Sequence, residues 1–485
     1  MEIGTMKKIL QNTDPQRITF SDRFHHSLRY YFNENDITNR NNGESKIDLN
    51  GKDELLRSSD SRVSNNFHQL LVDQEAGYLT SAAPNIDVSD DNLNEQIKDA
   101  LGDDFALKLN QLVVDAANAG VGWVHYWIDD NHVFQYAVIP PDQITPIYTS
   151  DLQSKLLAVR RTYRQLDPDD GETYTYNEYW TDKKCEVYRS KIAGYNDLQP
   201  ANDYFNYYDN ATSDLVKSSN VLEHGLGTIP FIPFSKNKYQ RPELNKYKGL
   251  IDVYDNVYNG FVNDVNDVQQ VILVLTNYGG ESLDVFKETL KKDKAIKVDS
   301  VGTGDKSGVD KLTIDIPTEA RSTLMEATKA DIYVHGQGID PTNFVGNSNA
   351  SGVAIKMLYS HLELKAHTTE SYFRDGVATL VTAILAFLTH SDGTQYQIVQ
   401  NWTRSAIQNN LEQAQIIQDV AAYSSREAIA ENNPIVNDPQ KELEQLDDEM
   451  TTDPFANPQA EQQVNDNDNN DDNDDNDDKS HEGDK

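Results

Sequence analysis

Residues 249–278, GLIDVYDNVYNGFVNDVNDVQQVILVLTNY, carry the strongest periodic signal in the chain. Leu250, Tyr254, Val257, Phe261, Val265, Val268 and Ile272 recur at three- and four-residue steps, the spacing that lines one face of an α-helix. Asp252, Asp255, Asn259, Asn263 and Asp267 occupy the other side. At ~1.5 Å per residue an unbroken helix over this stretch would reach about 45 Å. That is long for a single globule. The same spacing also fits an ordinary core helix broken at Gly260, so the pattern alone leaves both readings open.

Downstream, Gly279–Pro317 reads as a small unit: a short helix (LDVFKETLKK), a strand at Ala295–Asp299, a Gly-rich turn and a strand at Lys311–Ile316. Helix resumes over Thr318–His335. Thr318 can serve as its N-cap, although no Glu or Gln stands three residues on to close a capping box. A loop, Gly338–Ala350, leads to a second long helix, Ser351–His390, with the apolar stripe Phe373, Val377, Leu380, Ile384 and Phe387. Gly376 interrupts that stripe and is the expected kink. A strand at Tyr396–Trp402 and helices at Ile407–Tyr423 and Ser425–Ala430 follow. From Thr451 the chain is nearly free of apolar residues and ends in a dense Asp/Asn run, a composition that cannot offset the entropy of ordering.

Upstream, helices are expected at Ser21–Asn33, Arg62–Leu79 and Asp104–Asn118, the last ending at Gly120 and Gly122. The period then changes. Trp123–Ile128 and Val133–Ile139 flank Asp129-Asp130-Asn131 as a β-hairpin, and strands follow at Lys155–Tyr163, Glu172–Trp180 and Glu186–Arg189. Ile229–Phe234, IPFIPF, contains two prolines, which confine it to an edge or a crossing segment. The fold class is α+β, with residues 1–245 as one α+β domain.

Composition narrows the function. The chain has 485 residues and a formal net charge of −36. A protein that grips DNA does so with Lys and Arg, so this one, taken whole, repels it. Solubility accounts for such acidity equally well. A lone cysteine, Cys185, cannot form an internal disulfide. The first residues, MEIGTMKKILQNTDPQ, have no apolar segment behind their lysines, so no signal peptide is expected. Val377–Leu388 is too short to cross a bilayer, which takes roughly 20 residues.

No catalytic constellation stands out. Gly302-Thr303-Gly304-Asp305-Lys306-Ser307 has the look of a phosphate loop, but no Gly precedes Lys306 and no helix follows, so a hairpin turn is the better reading. There is no HExxH, no cysteine pair for zinc and no GxSxG elbow. His25 and His26 are adjacent, and His361 and His367 lie six apart, so neither pair shares a helix face. The Asp run lacks the fixed Gly and terminal Glu of a calcium loop. No cofactor, no metal and no catalysis are expected.

The order long helix, small α/β unit, helix, Gly/Asn loop, long helix resembles the portal proteins of tailed bacteriophages, siphovirus type. The resemblance runs from about Arg62 to Leu446. It is carried by HGLGTIPFIPFSKN (His224–Asn237), by the 249–278 stretch with the two glycines after it, by PTNFVGNSNASGVAIKMLYSHLELKA, and by ENNPIVNDPQKELEQL, in that order and spacing. The charge and the Asp/Asn tail exceed what the family requires, and an Asn-Ala step between Ser348 and Ser351 lengthens the loop motif slightly.

The resemblance implies a portal fold of wing, stem, clip and crown, assembled as a ring of usually twelve subunits around a central channel at the vertex of the phage head. Residues 1–248 would form the wing, 249–278 and 318–338 the stem, 279–317 the clip, 339–350 a tunnel loop, 351–395 a long kinked wing helix, 396–450 the crown, and 451–485 a disordered acidic tail. Double-stranded DNA would pass without sequence specificity during packaging and ejection. Terminase, then a head-completion adaptor, would dock at the clip, with capsid and scaffolding proteins as further partners. Assembly would take place in the host cytoplasm, with no membrane involved. The tunnel-loop residues would be Asp340, Pro341, Thr342, Asn343, Phe344, Val345, Gly346, Asn347, Ser348 and Asn349, which include no Lys or Arg. A plain inter-helix connection is the alternative for this loop. Lys287, Lys291, Lys292, Lys294 and Lys297 form a basic cluster in the clip, either a solvated helix face or a docking site for an acidic partner or entering DNA. Two other classes of function stay open: a metal-dependent packaging nuclease or ATPase, and an acidic protein-binding adaptor.

Overall fold

In the computed structural model, residues 1–39, 59–168, 170–191, 195–208, 215–268, 272–276, 282, 308–312, 316–344, 352–404, 410–433, 436 and 439–452 are described. The chain divides into two compact units, one built from Met1–Gly346 and Leu358–Ala406, the other from Asn347–Met357 and Ile407–Lys485.

In the larger unit, helix α1 (Ile3–Tyr31) starts far earlier than the 21–33 expected. Helix α2 (Phe67–Leu79) follows, then strand β1 (Asn85–Asp87) and helix α3 (Asp91–Leu101), which the sequence reading missed. Asp90 caps α3 by accepting from the Leu93 N–H at 3.1 Å. Helix α4 (Phe105–Ala119) ends at Gly120, whose φ of +91° is left-handed.

The expected hairpin is present as β2 (Val121–Ile128) and β3 (Phe134–Ile139), closed by Asp129, whose Oδ1 accepts from the N–H groups of Asn131 and Val133 at 2.9 Å each. Five further strands are β4 (Ile144–Tyr148), β5 (Leu156–Leu166), β6 (Thr173–Trp180), β7 (Lys184–Ser190) and β8 (Gln199–Pro200). After them come β9 (Phe205–Tyr208), β10 (Leu215–Ser219), β11 (Val221–Glu223) and β12 (Phe231–Ser235). One antiparallel sheet runs β11-β7-β6-β5-β4, with β8 also on β7; a second runs β12-β2-β3. The proline-containing β12 lies at an edge, as its missing donors require.

Arg160 on β5 ties α1 to the larger sheet. It is fully buried and donates to Thr13 Oγ1, Asp14 Oδ1, Asn177 Oδ1 and the Tyr195 hydroxyl at 2.8–3.0 Å. The network holds the guanidinium because each of its nitrogens has an acceptor, Nε using Thr162 Oγ1 at 3.0 Å.

Helix α5 (Lys248–Val268) passes through Gly260 without a break. It does not run to residue 278: Ile272–Thr276 is strand β13, antiparallel to β14 (Gly308–Leu312). The error has a simple cause. Val268 and Ile272 prolong the four-residue spacing, but ILVLT has no polar side, which suits a strand better than an amphipathic helix. The expected helix and strand within 283–299 lie outside the described residues.

Helix α6 (Thr318–Gly336) packs against α5, and α7 (Gly352–Thr389) is the long second helix. The run Met357–Thr389 is long and apolar enough to cross a membrane, and part of its apolar surface packs inside the protein. Phe373, Val377, Leu380, Val381, Ile384 and Leu385 are buried in one core with Leu109, Val124 and Phe234. Gly376 is explained by that packing, since a Cβ there would come within 2.7 Å of the Phe234 ring. After α7, β15 (Val399–Asn401) pairs with β1.

The smaller unit contains α8 (Asn410–Val420), α9 (Arg426–Asn432) and α10 (Pro439–Thr452). Ser425 caps α9 through the Ala428 N–H, and Arg426 pairs with Asp447 at 2.9 Å. Residues 453–485, including the Asp/Asn run, lie outside the described residues.

Candidate functional site

The loop expected to project toward DNA leaves α6 through Gly336-Gln337-Gly338, with Gln337 left-handed at φ +53°. This turn rests on α2. A Cβ at Gly336 or Gly338 would fall 2.5 Å or 2.2 Å from a Leu71 methyl group. One turn on, Gln74 grips the next residue at both main-chain atoms: its Nε2 donates to Ile339 O at 2.7 Å, and its Oε1 accepts from Ile339 N at 2.9 Å. Asp340 then opens the loop. Its Oδ1 accepts from the N–H and hydroxyl of Thr342 at 2.9 Å and 2.7 Å, and its Oδ2 pairs with Lys329 of α6 at 3.1 Å. Burial works to raise the Asp340 pKa, but these donors outweigh it, so the carboxyl sits below its usual range. Pro341, Thr342, Asn343 and Phe344 form a single 3₁₀ turn. Val345, Gly346, Asn347, Ser348 and Asn349 lie outside the described residues, as do Lys287, Lys291, Lys292, Lys294 and Lys297.

The other leg of the loop, α7, is fixed to the same face of α2. The Lys365 ammonium donates to Leu71 O at 3.0 Å, and Tyr78 donates to Glu363 Oε2 at 2.6 Å. Leu71, Gln74, Glu75 and Tyr78 stand at i, i+3, i+4 and i+7, one stripe of the helix. Both legs therefore share one rail.

Behind the rail lies a buried quartet of charges. Glu75 of α2, Lys236 just after β12, Glu243 before α5 and Lys365 of α7 are all at most 5 % exposed. Lys236 contacts Glu75 closely and lies 3.4 Å from Glu243; Lys365 contacts Glu243 closely and lies 3.3 Å from Glu75. Thr369 adds a hydroxyl to Glu75 Oε1 at 2.6 Å. Burial alone would push Glu75 up, but the two ammonium groups override it and bring its pKa down to about 2. Burial pulls Lys365 down, and Glu243 and Glu75 more than reverse that. The quartet is neutral as a set and clamps four chain segments; it offers no nucleophile. No spacing in the sequence links these residues. The one available signal is a charged residue on an apolar stripe: Glu75 falls in line with Leu71, Val72 and Leu79, and Lys365 with Leu362, Ala366 and Phe373.

Next to the quartet, His68 is buried with Nδ1 2.8 Å from the Tyr247 hydroxyl and Nε2 3.0 Å from Asn118 Oδ1. Burial lowers its pKa to about 4. Between pH 6.5 and about 4 the unfolded chain takes a proton there that the folded chain refuses, so this histidine's contribution to stability is lost as the pH falls through that window. Asp115 acts oppositely, since burial raises it to about 7; the test is therefore a difference. Urea unfolding should show His68→Gln losing less unfolding free energy than the wild type between pH 7 and pH 4.5, by an amount on the order of 2–3 kcal/mol. Parallel pH curves for the two would show that His68 does not carry this charge-exclusion effect.

The polar side of α5 is covered over much of its length. Asp255 and Asn259 are 1 % and 2 % exposed, because residues 59–65 lie extended along them. Among the described residues no group of three or more His, Cys, Asp or Glu side chains is placed to hold a metal ion.

A family model described as phage portal protein, SPP1 Gp6-like, matches residues 12–453. The chain belongs to that family. Among individual portal family members, the portal protein of Clostridium phage phiCD119 is 36 % identical over 424 residues, covering 84 % of this chain and 88 % of that protein. The portal protein of Bacillus phage SPP1 is 29 % identical over 431 residues, covering 87 % and 82 %. Among solved structures, a chain from the virion of the native gene transfer agent particle aligns at TM-score 0.38 and 12 % identity, covering 74 % of this chain and 87 % of that one; so low a likeness carries nothing over to this portal family chain.

Proposed function

We propose that this chain is the subunit of a portal ring at the vertex of a phage head, whose channel admits double-stranded DNA during packaging and releases it at ejection. The observation that carries this reading is the portal family match along residues 12–453. Physical chemistry supports it. Val253 and Val265 on α5 and Leu324 and Val334 on α6 are each between 38 % and 55 % exposed in the single chain, and neighbouring copies about a symmetry axis would cover them. In this reading α5 and α6 are the stem, residues 279–317 the clip, and 339–350 the tunnel loop. The segment up to 248, with α7, makes the wing, and the chain beyond 396 makes the crown.

Charge fits passage better than grip. A basic channel making ~6–10 phosphate contacts would hold DNA with steep salt dependence. Here the loop from Asp340 to Asn349 has no Lys or Arg, and its one carboxylate is already paired with Lys329. DNA would meet neutral groups on a fixed root. The clip lysines at 287, 291, 292, 294 and 297 would then serve docking by terminase and afterwards a head-completion adaptor. Capsid and scaffolding proteins would complete the partners.

Negative-stain imaging of the purified chain tests the central claim. Annular particles with a central hole are the expected result. A uniform population of single compact particles, at concentrations where phage heads assemble, would overturn it.

A further inference from the structure

The stretch KNKYQRPELNKYK, residues 236–248, holds five cationic side chains and one carboxylate in a chain whose net charge is −36. Two of the five are engaged: Lys236 with Glu75 and Glu243, and Lys248 with Asp36 and Asp252 at 2.7 Å each. Lys238, Arg241 and Lys246 pair with no carboxylate among the described residues, and neither does Arg23 of α1. With 79 acidic residues in the chain, carboxylates are not scarce.

Arg241 does not stand on a slack loop. Asn237 holds it at both main-chain atoms: its Oδ1 accepts from Arg241 N at 3.2 Å, and its Nδ2 donates to Arg241 O at 2.9 Å. The same Oδ1 accepts from Tyr239 N at 3.1 Å. Pro242 then leads into the 3₁₀ turn Glu243–Lys246, which places Lys246. The Lys246 ammonium donates to the neutral Gln337 side chain at 3.3 Å. Arg241 and Lys246, with Tyr239, Asn245 and Thr368, line a cavity of about 480 Å³. Lys236, Glu243 and Lys365 also reach it, but the quartet they belong to is neutral, so the excess charge of the cavity is positive.

Arg23 is the other neighbour of Arg241. Its Nε is buried and meets no acceptor, and its guanidinium lies 5.5 Å from the Phe20 ring. Burial and the like charge of Arg241 both push it below its ordinary range. A buried charged donor left without an acceptor is costly, and an anion received by the two guanidinium groups would relieve both the missing bond and the repulsion. A carboxylate offers one charge and two oxygens in a plane. Phosphate brings about −1.5 to −2 charges and at least three acceptor oxygens, a better match to two guanidinium forks and an ammonium.

We infer that Arg23, Arg241 and Lys246 form a binding site for a phosphoryl group, supplied either by free phosphate or by a DNA backbone. The site uses no residue of the loop at 339–350 and is complete in a single chain, so it does not depend on ring formation. Three cations also fall short of the ~6–10 phosphate contacts that would make DNA hold fast.

Calorimetric titration of the full chain at fixed ionic strength in chloride tests this with two probes, inorganic phosphate and a short DNA duplex of arbitrary sequence. Binding of phosphate alone assigns the site to a free anion, and binding of the duplex assigns it to a nucleic-acid backbone. Binding of neither overturns the inference. Arg23→Gln and Arg241→Gln should each weaken the probe that binds by about tenfold or more, the loss expected for a charge-assisted hydrogen bond. Lys183→Gln, which removes an exposed lysine at the β6–β7 turn, should change it by less than about twofold; an equal loss there would reduce the effect to diffuse charge and sink the site. In the absence of phosphate, Arg23→Gln should unfold in urea at a midpoint no lower than that of the wild type, because it removes an uncompensated charge. A lower midpoint together with unchanged binding would make Arg23 a structural residue and refute its part in the site. If Arg23→Gln does not fold, Arg241→Gln and Lys246→Gln, both at exposed positions, carry the same test.

Discussion

Lys365→Met should lower stability by about 3–5 kcal/mol, the usual cost of removing one partner from a buried ionic network. Methionine keeps most of the apolar stem, so the loss isolates the ammonium group. Without it, Glu75 and Glu243 share Lys236 alone, and an uncompensated negative charge is left where water does not reach. The Leu71 carbonyl also loses the side-chain donor it has beyond the helix. Removing a carboxylate as well restores the balance. Lys365→Met combined with Glu243→Met should therefore be more stable than the sum of the two single changes predicts, with a coupling of about 1–3 kcal/mol. Urea unfolding at fixed protein concentration measures all four states. Strictly additive losses would mean that the four groups do not act as one network.

Gly120→Ala should cost about 3 kcal/mol, for a different reason. The residue combines a left-handed φ of +91° with a neighbour at contact distance: a Cβ would fall 2.2 Å from Gln240 O and 2.8 Å from Arg241 N. The first penalises any L side chain by about 1–2 kcal/mol, and the second forces a main-chain shift worth about 1–3 kcal/mol. The segment that must move carries Lys236 at one end and Glu243 at the other, so the substitution strains the ionic clamp as well; Lys236 N donates to Gly120 O at 2.9 Å. Gly260→Ala is the control. Nothing lies within 4 Å of a Cβ there, and the position is inside α5, so alanine should stabilise by about 0.5–1 kcal/mol. Effects of the same sign at both glycines would contradict this account.

How much of this was legible beforehand depended on whether the signal was local. The β2–β3 hairpin, α4 with its glycine stop, and the edge position of IPFIPF rest on neighbours in sequence, and they were readable. The family emerged from the order of several segments taken together. The end of α5 was misplaced because Val268 and Ile272 happen to continue a helical spacing into a strand. Ile3–Tyr31 was cut short at its start because its first half is polar, and α3 was missed because its short pattern sits among Asp and Asn residues. The quartet was out of reach for another reason: Glu75, Lys236, Glu243 and Lys365 come from four distant places, and only the fold brings them together. Asp255, Asn259, Asn263 and Asp267 were noted as one helix side, yet their occupant could not be guessed, since the chain that covers them reveals itself by backbone geometry and not by residue type.

The grip of Gln74 on Ile339 has a consequence for how this protein can change. The attachment is made to peptide atoms, which every residue but proline supplies in full, so this hold places no demand on the side chain at position 339. In the portal reading proposed above, the residues beyond this hold would be open to change for a different genome end or a different neck, while the hold itself stays encoded some 265 residues earlier in the chain.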